Sequence, residues 1–178
     1  MKTLVIYTSQ TGFTKRYVGW ISEELNADLY DLNDAKKKAD SFFETYEAIV
    51  YAGWCMAGKV VKVNWFMDKA VCWKGKRLAI VAVGASPNDN PEVDEFLDNV
   101  MTEEQCQIMK AFYCQGGINY DRMNFFSRTL MKMFANALRN NKNSSEKDKE
   151  KGEMISKSYD ISDRKFIEPV MDYIRGNG

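Results

Sequence analysis

At 178 residues the chain suits one domain, large enough to bury roughly 70% of its unfolded surface with no disulfide or metal staple. Twenty-five basic residues balance twenty-five acidic ones and histidine is absent, which excludes an overall field for nucleic acid or anionic lipid and excludes Ser-His and Cys-His catalysis. The four cysteines, Cys55, Cys72, Cys106 and Cys114, form no C-x-x-C pair and no leader pattern precedes them, so they read as reduced thiols of a cytoplasmic protein.

Leu4, Val5, Ile6 and Tyr7 form a β-branched and aromatic run, the pattern of a strand buried on both faces. Val18, Ile21 and Leu25 then recur at helical spacing. Thr8, Ser9, Gln10, Thr11, Gly12, Phe13 and Thr14 therefore join a strand to a helix N-terminus, where unpaired amides and the helix dipole attract an anion and the hydroxyls add donors. With one glycine and no lysine, the loop matches neither the nucleotide-triphosphate nor the dinucleotide fingerprint. It suits a phosphomonoester that stays bound, and it equally describes a plain β-α turn with a capping threonine.

Ala27 to Leu32 alternates apolar and acidic residues as an outer strand would, and Lys36 to Lys38 read as solvated surface. Ala48 to Ala52 is a second buried strand, followed by a loop from Gly53 to Lys59 and a helical period from Val60 to Val71. Leu78 to Val83 and Lys110 to Cys114 are the remaining buried runs, the first ending in Gly84 and the second in Gly116 and Gly117. Strands alternating with helices predict a parallel sheet covered on both faces, with a ligand beyond the carboxyl ends of its strands. Four loops converge there: Thr8 to Thr14, Gly53 to Lys59, Gly84 to Asp89, and Gln115 to Tyr120. Trp54 offers a flat ligand a stacking face, or packs in the core.

After Gly117, Met123, Phe126, Leu130, Met133 or Phe134, and Ala137 lie along one face of a helix set among Arg122, Arg128, Lys132 and Arg139. Such a helix either buries its apolar face on the sheet or lies on a membrane or an apolar substrate bearing carboxylates. Asn141 to Glu153 reads as a mobile loop, or at most an exposed helical extension. Ser162 is placed to cap a final amphipathic helix through Phe166, Ile167, Val170 and Ile174, with Pro169 marking a kink or a late start. No apolar run approaches the ~20 residues of a membrane span.

Ser9, Thr11, Gly12 and Thr14 resemble the S-x-T-G-x-T loop of the flavodoxin family, and the order of elements resembles that family over nearly the whole chain. The resemblance implies an α/β, flavodoxin-like three-layer sandwich: a five-stranded parallel sheet of order 2-1-3-4-5 with helices on both faces. It also implies FMN, with its phosphate on Thr8 to Thr14. The loop of Gly53, Trp54, Cys55, Met56, Ala57 and Gly58 would supply the ring-stacking side chain and the peptide facing the reactive flavin nitrogen. Gly58 is the candidate for a peptide that flips with redox state. Val83, Gly84, Ala85 and Ser86 would touch the polar edge of the ring, without the family's commoner G-x-G-D-S pattern and following aromatic, and Gly116 and Gly117 would complete the crevice. Lys59 and Lys62, with no carboxylate before Asp68, predict stabilisation of the reduced, anionic flavin.

From Gly116 the chain resembles a narrower group, the flavodoxin-like menaquinone-dependent protoporphyrinogen IX dehydrogenases, through Gly116, Tyr120, Arg122, Phe125, Phe126, Arg128, Leu130, Met131, Lys132 and Met133. That resemblance implies one domain over 1–178 carrying an amphipathic basic insertion and charged loop at about 118–158. It makes Tyr120, Arg122, Phe126, Arg128 and Lys132 substrate or partner residues and allows peripheral membrane contact through 121–139. Three functions follow in order: an FMN-binding electron-transfer protein serving a redox partner protein, an FMN-dependent dehydrogenase passing electrons from a porphyrinogen to a quinone, and a flavin-free interaction domain. A nicotinamide-driven reductase lacks its dinucleotide fingerprint.

Overall fold

The computed structural model describes residues 1–141 and 144–177. In chain order the elements are β1 (Thr3–Tyr7), α1 (Phe13–Leu25), β2 (Asp28–Asp31), α2 (Leu32–Ala35), α3 (Asp40–Glu44), β3 (Ala48–Met56), β4 (Lys59–Val60), α4 (Val63–Ala70), β5 (Arg77–Gly84), α5 (Pro91–Asn99), α6 (Glu103–Cys106), β6 (Met109–Gln115), β7 (Gly117–Ile118), α7 (Phe125–Asn140), α8 (Glu146–Ile155), β8 (Tyr159–Asp160) and α9 (Glu168–Arg175). The main sheet runs β2-β1-β3-β5-β6, with β4 attached to β3 alone. Apart from that short antiparallel arm, this is the expected parallel order 2-1-3-4-5.

The two-residue side-chain period of a strand divides the core into two layers. Leu4, Ile6, Ile49, Tyr51, Leu78 and Ile80 face Leu32 of α2, Phe43 of α3, Phe66 of α4 and Val93 of α5. Val5, Val50, Ala79, Val81 and Phe112 face Tyr17, Val18 and Ile21 of α1 and Val170 and Ile174 of α9. The register that sets these layers pairs Val5 with Val50, Val50 with Ala79 and Val81 with Phe112. Three central strands buried on both sides cannot alternate polar and apolar residues, so β1, β3 and β5 read as continuous apolar runs.

Several local expectations change. β3 does not stop at Ala52: it continues to Met56 and turns back into β4 through Ala57 and Gly58. Both turn residues are left-handed, φ 49° and 72°, the hand a two-residue hairpin requires. Gly53 is consequently a strand residue, and the helix expected from Val60 begins at Val63. Ser162 caps no helix. Its amide donates to Asp160, while Asp163 caps a 3-10 turn over Arg164–Ile167. Pro169 marks the late start of α9.

β7 and β8 pair antiparallel, Gly117 with Asp160 and Ile118 with Tyr159, so the chain leaves and re-enters the fold through one short ribbon. The excursion between them carries a 3-10 turn (Tyr120–Arg122), α7 and α8. Of the stretch 141–153, Lys142 and Asn143 lie outside the described residues, and Glu146 onward is helix, opened by a reciprocal cap between Ser145 and Asp148. α7 does not lie on the sheet. It packs against α8 through Ala135, where Gly152 lets the backbones meet: a Cβ there would stand 3.1 Å from the Ala135 carbonyl oxygen. Arg139 pairs with Glu153 at 3.0 Å between these helices, and Lys151 of α8 pairs with Glu92 of α5.

Candidate functional site

The carboxyl ends of β1, β3, β5 and β6 bring the four loops to one edge of the sheet. After β1, Gly12 takes φ +103° and starts α1 with no side-chain cap of its own and no acidic residue in the first turn, so the Phe13 and Thr14 amides stay open to an anion while the Lys15 amide is taken by Ser9. Thr8 and Thr14 are buried beneath this loop, and the Thr8 amide donates to the Ala52 carbonyl at 3.0 Å. The Ser9 hydroxyl accepts from the Lys15 amide at 3.3 Å. Gln10, Thr11 and Phe13 line the crevice.

The β3-β4 hairpin forms one wall. Gly53 is buried under it, where a Cβ would stand 2.8 Å from Val60 Cγ1 and 3.0 Å from the Val61 carbonyl oxygen, so its role is close approach within the hairpin. Trp54, half-buried and outside both core clusters, lines the crevice with Cys55, Met56 and Ala57. Gly58 sits at the exposed tip and does not line it. Burial pushes the Cys55 thiol up to about 12 and the buried Cys114 thiol higher still, whereas Cys72 and Cys106 are exposed. A disulfide reagent at pH 8 should therefore label Cys72 and Cys106 first, Cys55 roughly tenfold or more slower, and Cys114 only on unfolding. Four equal rates in the native protein would contradict this.

On the opposite wall Val83, Gly84 and Ala85 line the crevice, and Ser86 turns away, its carbonyl accepting from the Tyr113 hydroxyl at 2.8 Å. The Gly116 amide donates to the Gly84 carbonyl at 2.6 Å, which places Gly116 behind the lining and Gly117 in it. Gln115 and Asn88 bond reciprocally, the Gln115 amide to Asn88 Oδ1 at 2.9 Å and the Asn88 amide to Gln115 Oε1 at 2.8 Å. Tyr159 closes this side by donating to the Ala85 carbonyl at 2.8 Å, with its phenol pushed up to about 12 by burial.

Two adjoining cavities share Thr11, Phe13 and Ile118. One, of about 390 Å³, is apolar and carries no charged lining residue among the described residues. Its roof is contributed by the excursion: Met123 before α7, then Ser127, Leu130, Met131 and Phe134. The other, of about 590 Å³, is polar and is lined by Gly12, Lys15, Arg16, Asn119, Arg122 and Asp160 among others. Arg16 pairs with Asp160 at 2.5 Å. Lys15 and Arg16 belong to α1, next to the loop, whereas the roof and Arg122 are not marked by local spacing, since they come from a segment distant in sequence that the β7-β8 ribbon brings back.

The residues expected to meet a substrate divide. Tyr120 is buried, its hydroxyl donating to the Ile155 carbonyl at 2.6 Å. Arg128 donates from Nε to the Tyr120 carbonyl at 2.8 Å, and the Lys132 ammonium lies 5.9 Å from the centre of the Tyr120 ring. These three hold the excursion together. Arg122 faces the loop at Gly12, and Phe126 is 69% exposed. Lys59 and Lys62 are exposed and line neither cavity, so charge beside the crevice comes from Lys15, Arg16 and Arg122 instead.

A model of the flavodoxin domain matches residues 4–147. The chain belongs to the flavodoxin family. No curated protein matches this flavodoxin. Among solved structures, it is similar to a WrbA-like flavodoxin of Agrobacterium tumefaciens, at 17% identity over 71% of this chain and 87% of that one, with a TM-score of 0.47. It is similar to a flavoprotein of Lactobacillus acidophilus NCFM solved in complex with FMN, at 16% identity over 64% and 91% of the two chains, TM-score 0.43. A flavodoxin from the domain Archaea is similar at 17% identity over 96% and 99%, TM-score 0.42. Family membership makes FMN the cofactor against which to test the geometry, and the residues fit it. The apolar cavity lies within the roughly 300–1,000 Å³ of small-molecule sites and offers an indole face, while the polar one opens onto free helix amides and cations.

Proposed function

We propose that this flavodoxin holds FMN across the two joined cavities, the ring system in the apolar one against Trp54 and the phosphate on Ser9 to Thr14, and carries electrons between redox partners. The observation that carries the reading is the junction at Thr11 and Phe13 of an apolar cavity with a polar one that holds Lys15, Arg16 and Arg122 at the start of α1. FMN, when bound, supplies one- and two-electron transfer. The protein stacks the ring on Trp54, excludes water with Met123, Leu130 and Phe134, and offers the backbone of Val83 to Ala85 to the pyrimidine edge. At the hairpin tip nothing lies within 4 Å of an added Gly58 Cβ, which leaves room for the peptide beside Ala57 to turn.

Titrating the flavin-stripped protein with FMN is expected to quench flavin fluorescence to a one-to-one end point, and protein that takes up no FMN would overturn the reading. No carboxylate lines the apolar cavity among the described residues, so the reduced, anionic flavin meets no like charge there, and its desolvation by the apolar walls is opposed by Lys15 and Arg122 of the adjoining cavity. The second electron is then expected to enter near or above the potential of free flavin. A redox titration that places it well below would count against this.

A second reading, oxidation of a small apolar donor such as a porphyrinogen with transfer to a quinone, draws on one feature. Leu130 and Phe134 line the cavity and are also exposed, 44% and 47%, and continue outward to Phe126 and Met133. Anaerobic mixing of the holoprotein with protoporphyrinogen and then with a menaquinone analogue tests it. No change in the flavin spectrum with either leaves the carrier function alone. No helix among the described residues is long and apolar enough to cross a membrane.

A further inference from the structure

We infer that Arg122 is the cation that neutralises the flavin phosphate, and that through it the excursion between β7 and β8 is coupled to cofactor binding. This rests on the FMN site proposed above. The loop Thr8 to Thr14 contains no cation, and a phosphomonoester is close to a dianion at neutral pH. Of the basic residues around the polar cavity, Arg16 is already matched by Asp160 at 2.5 Å. Among the described residues neither Lys15 nor Arg122 has an ion-pair partner or a side-chain hydrogen bond, and of these two Arg122 is the one whose guanidinium packs against Gly12. Its Nη1 lies 3.0 Å from where a Cβ on Gly12 would stand, beside the residue that opens α1. Gly12 thus serves twice, taking a left-handed φ of 103° and leaving the space that the guanidinium fills.

The position of Arg122 is built. Its amide donates to Asn119, to Oδ1 at 3.2 Å and to the carbonyl at 3.3 Å. Two residues earlier, the Tyr120 amide donates to the Ser158 hydroxyl at 3.0 Å and the Tyr120 hydroxyl to the Ile155 carbonyl at 2.6 Å. A second contact joins the same parts, Gln10 Nε2 donating to the Ser127 hydroxyl at 3.3 Å. A phosphate held jointly by the amides of α1 and by Arg122 would tie the excursion to the loop. By linkage, whatever docks the excursion then tightens the phosphate.

The test compares FMN with riboflavin, which has the same ring and no phosphate, by fluorescence titration of the full chain and its Arg122→Ala and Arg122→Lys variants. Arg122→Ala is expected to weaken FMN about 10- to 100-fold, the range for losing one charge-assisted contact, and to leave riboflavin within about twofold. Arg122→Lys should recover part of the loss, and the salt dependence of FMN binding should shrink in Arg122→Ala. In hydrogen exchange, FMN should protect the amides of α7 more than riboflavin does, and Arg122→Ala should erase that difference. An equal loss for both flavins would mark a merely structural residue, and no loss for FMN would remove Arg122 from the phosphate site; either overturns the inference while the FMN site stands. Failure of the unaltered protein to bind either flavin would instead overturn the proposed function, and this inference with it.

Discussion

Gly117→Ala is expected to lower the thermal midpoint of the apoprotein by roughly 10 °C and to abolish flavin uptake. A Cβ at Gly117 would stand 2.1 Å from the Tyr159 carbonyl oxygen and 3.0 Å from Phe13 Cζ, at a φ of 153°. Backbone cannot swing aside as a side chain does. Relief requires opening the pairing of Gly117 with Asp160, or moving the neighbouring Gly116, whose amide donates to Gly84 and whose carbonyl accepts from Ile161. Strain and overpacking each cost about 1–3 kcal/mol, and roughly 2–4 °C is lost per kcal/mol in a chain of this size. Gly117 and Ile118 line the cavity, so the damage falls on the site as well. Gly19→Ala is the matched control: nothing lies within 4 Å of that Cβ in α1, and replacing a mid-helix glycine there should gain about 0.5–1 kcal/mol. Equal melting of the two variants, followed by circular dichroism, would contradict the close approach at Gly117.

Trp54→Ala separates core from site. A buried tryptophan cut to alanine costs about 3–5 kcal/mol of stability. Trp54 is half-buried, outside both core clusters, and turned to the apolar cavity. Urea unfolding of the apoprotein should therefore change by less than about 1 kcal/mol, while FMN affinity falls about 10- to 100-fold through lost stacking and apolar contact. Trp54→Phe should keep most of the affinity. A large loss of stability with unchanged FMN binding would return Trp54 to the core and remove it from the site.

The strands were legible because their signal is local. β1, β3, β5 and β6 each announce themselves as short apolar runs ending near glycine, and the order of elements leaves few topologies for a parallel sheet. The hairpin was not legible. Gly53 carries the usual mark of a loop, yet it is the point where β3 and the chain after β4 touch, and the tip places an alanine at φ 49° where asparagine or glycine is the usual signal. In the excursion, helical period identified the apolar face of α7 without saying what it covers. Tyr120, Arg128 and Lys132 read as substrate residues because exposed and internal contacts look alike in a sequence, whereas their side chains bond to one another's segment.

By itself, then, the sequence determined the alternation of strands and helices, the hydroxyl-rich loop at Thr8 to Thr14 that joins β1 to α1 and the family to which both point, since all three depend on residues near one another in the chain. Only the tertiary structure decided that the apolar cavity is roofed by Met123, Leu130 and Phe134 and that Arg122 stands over Gly12. Those contacts depend on the β7-β8 pairing and on the packing of α7 against α8, non-local registers that no periodicity encodes.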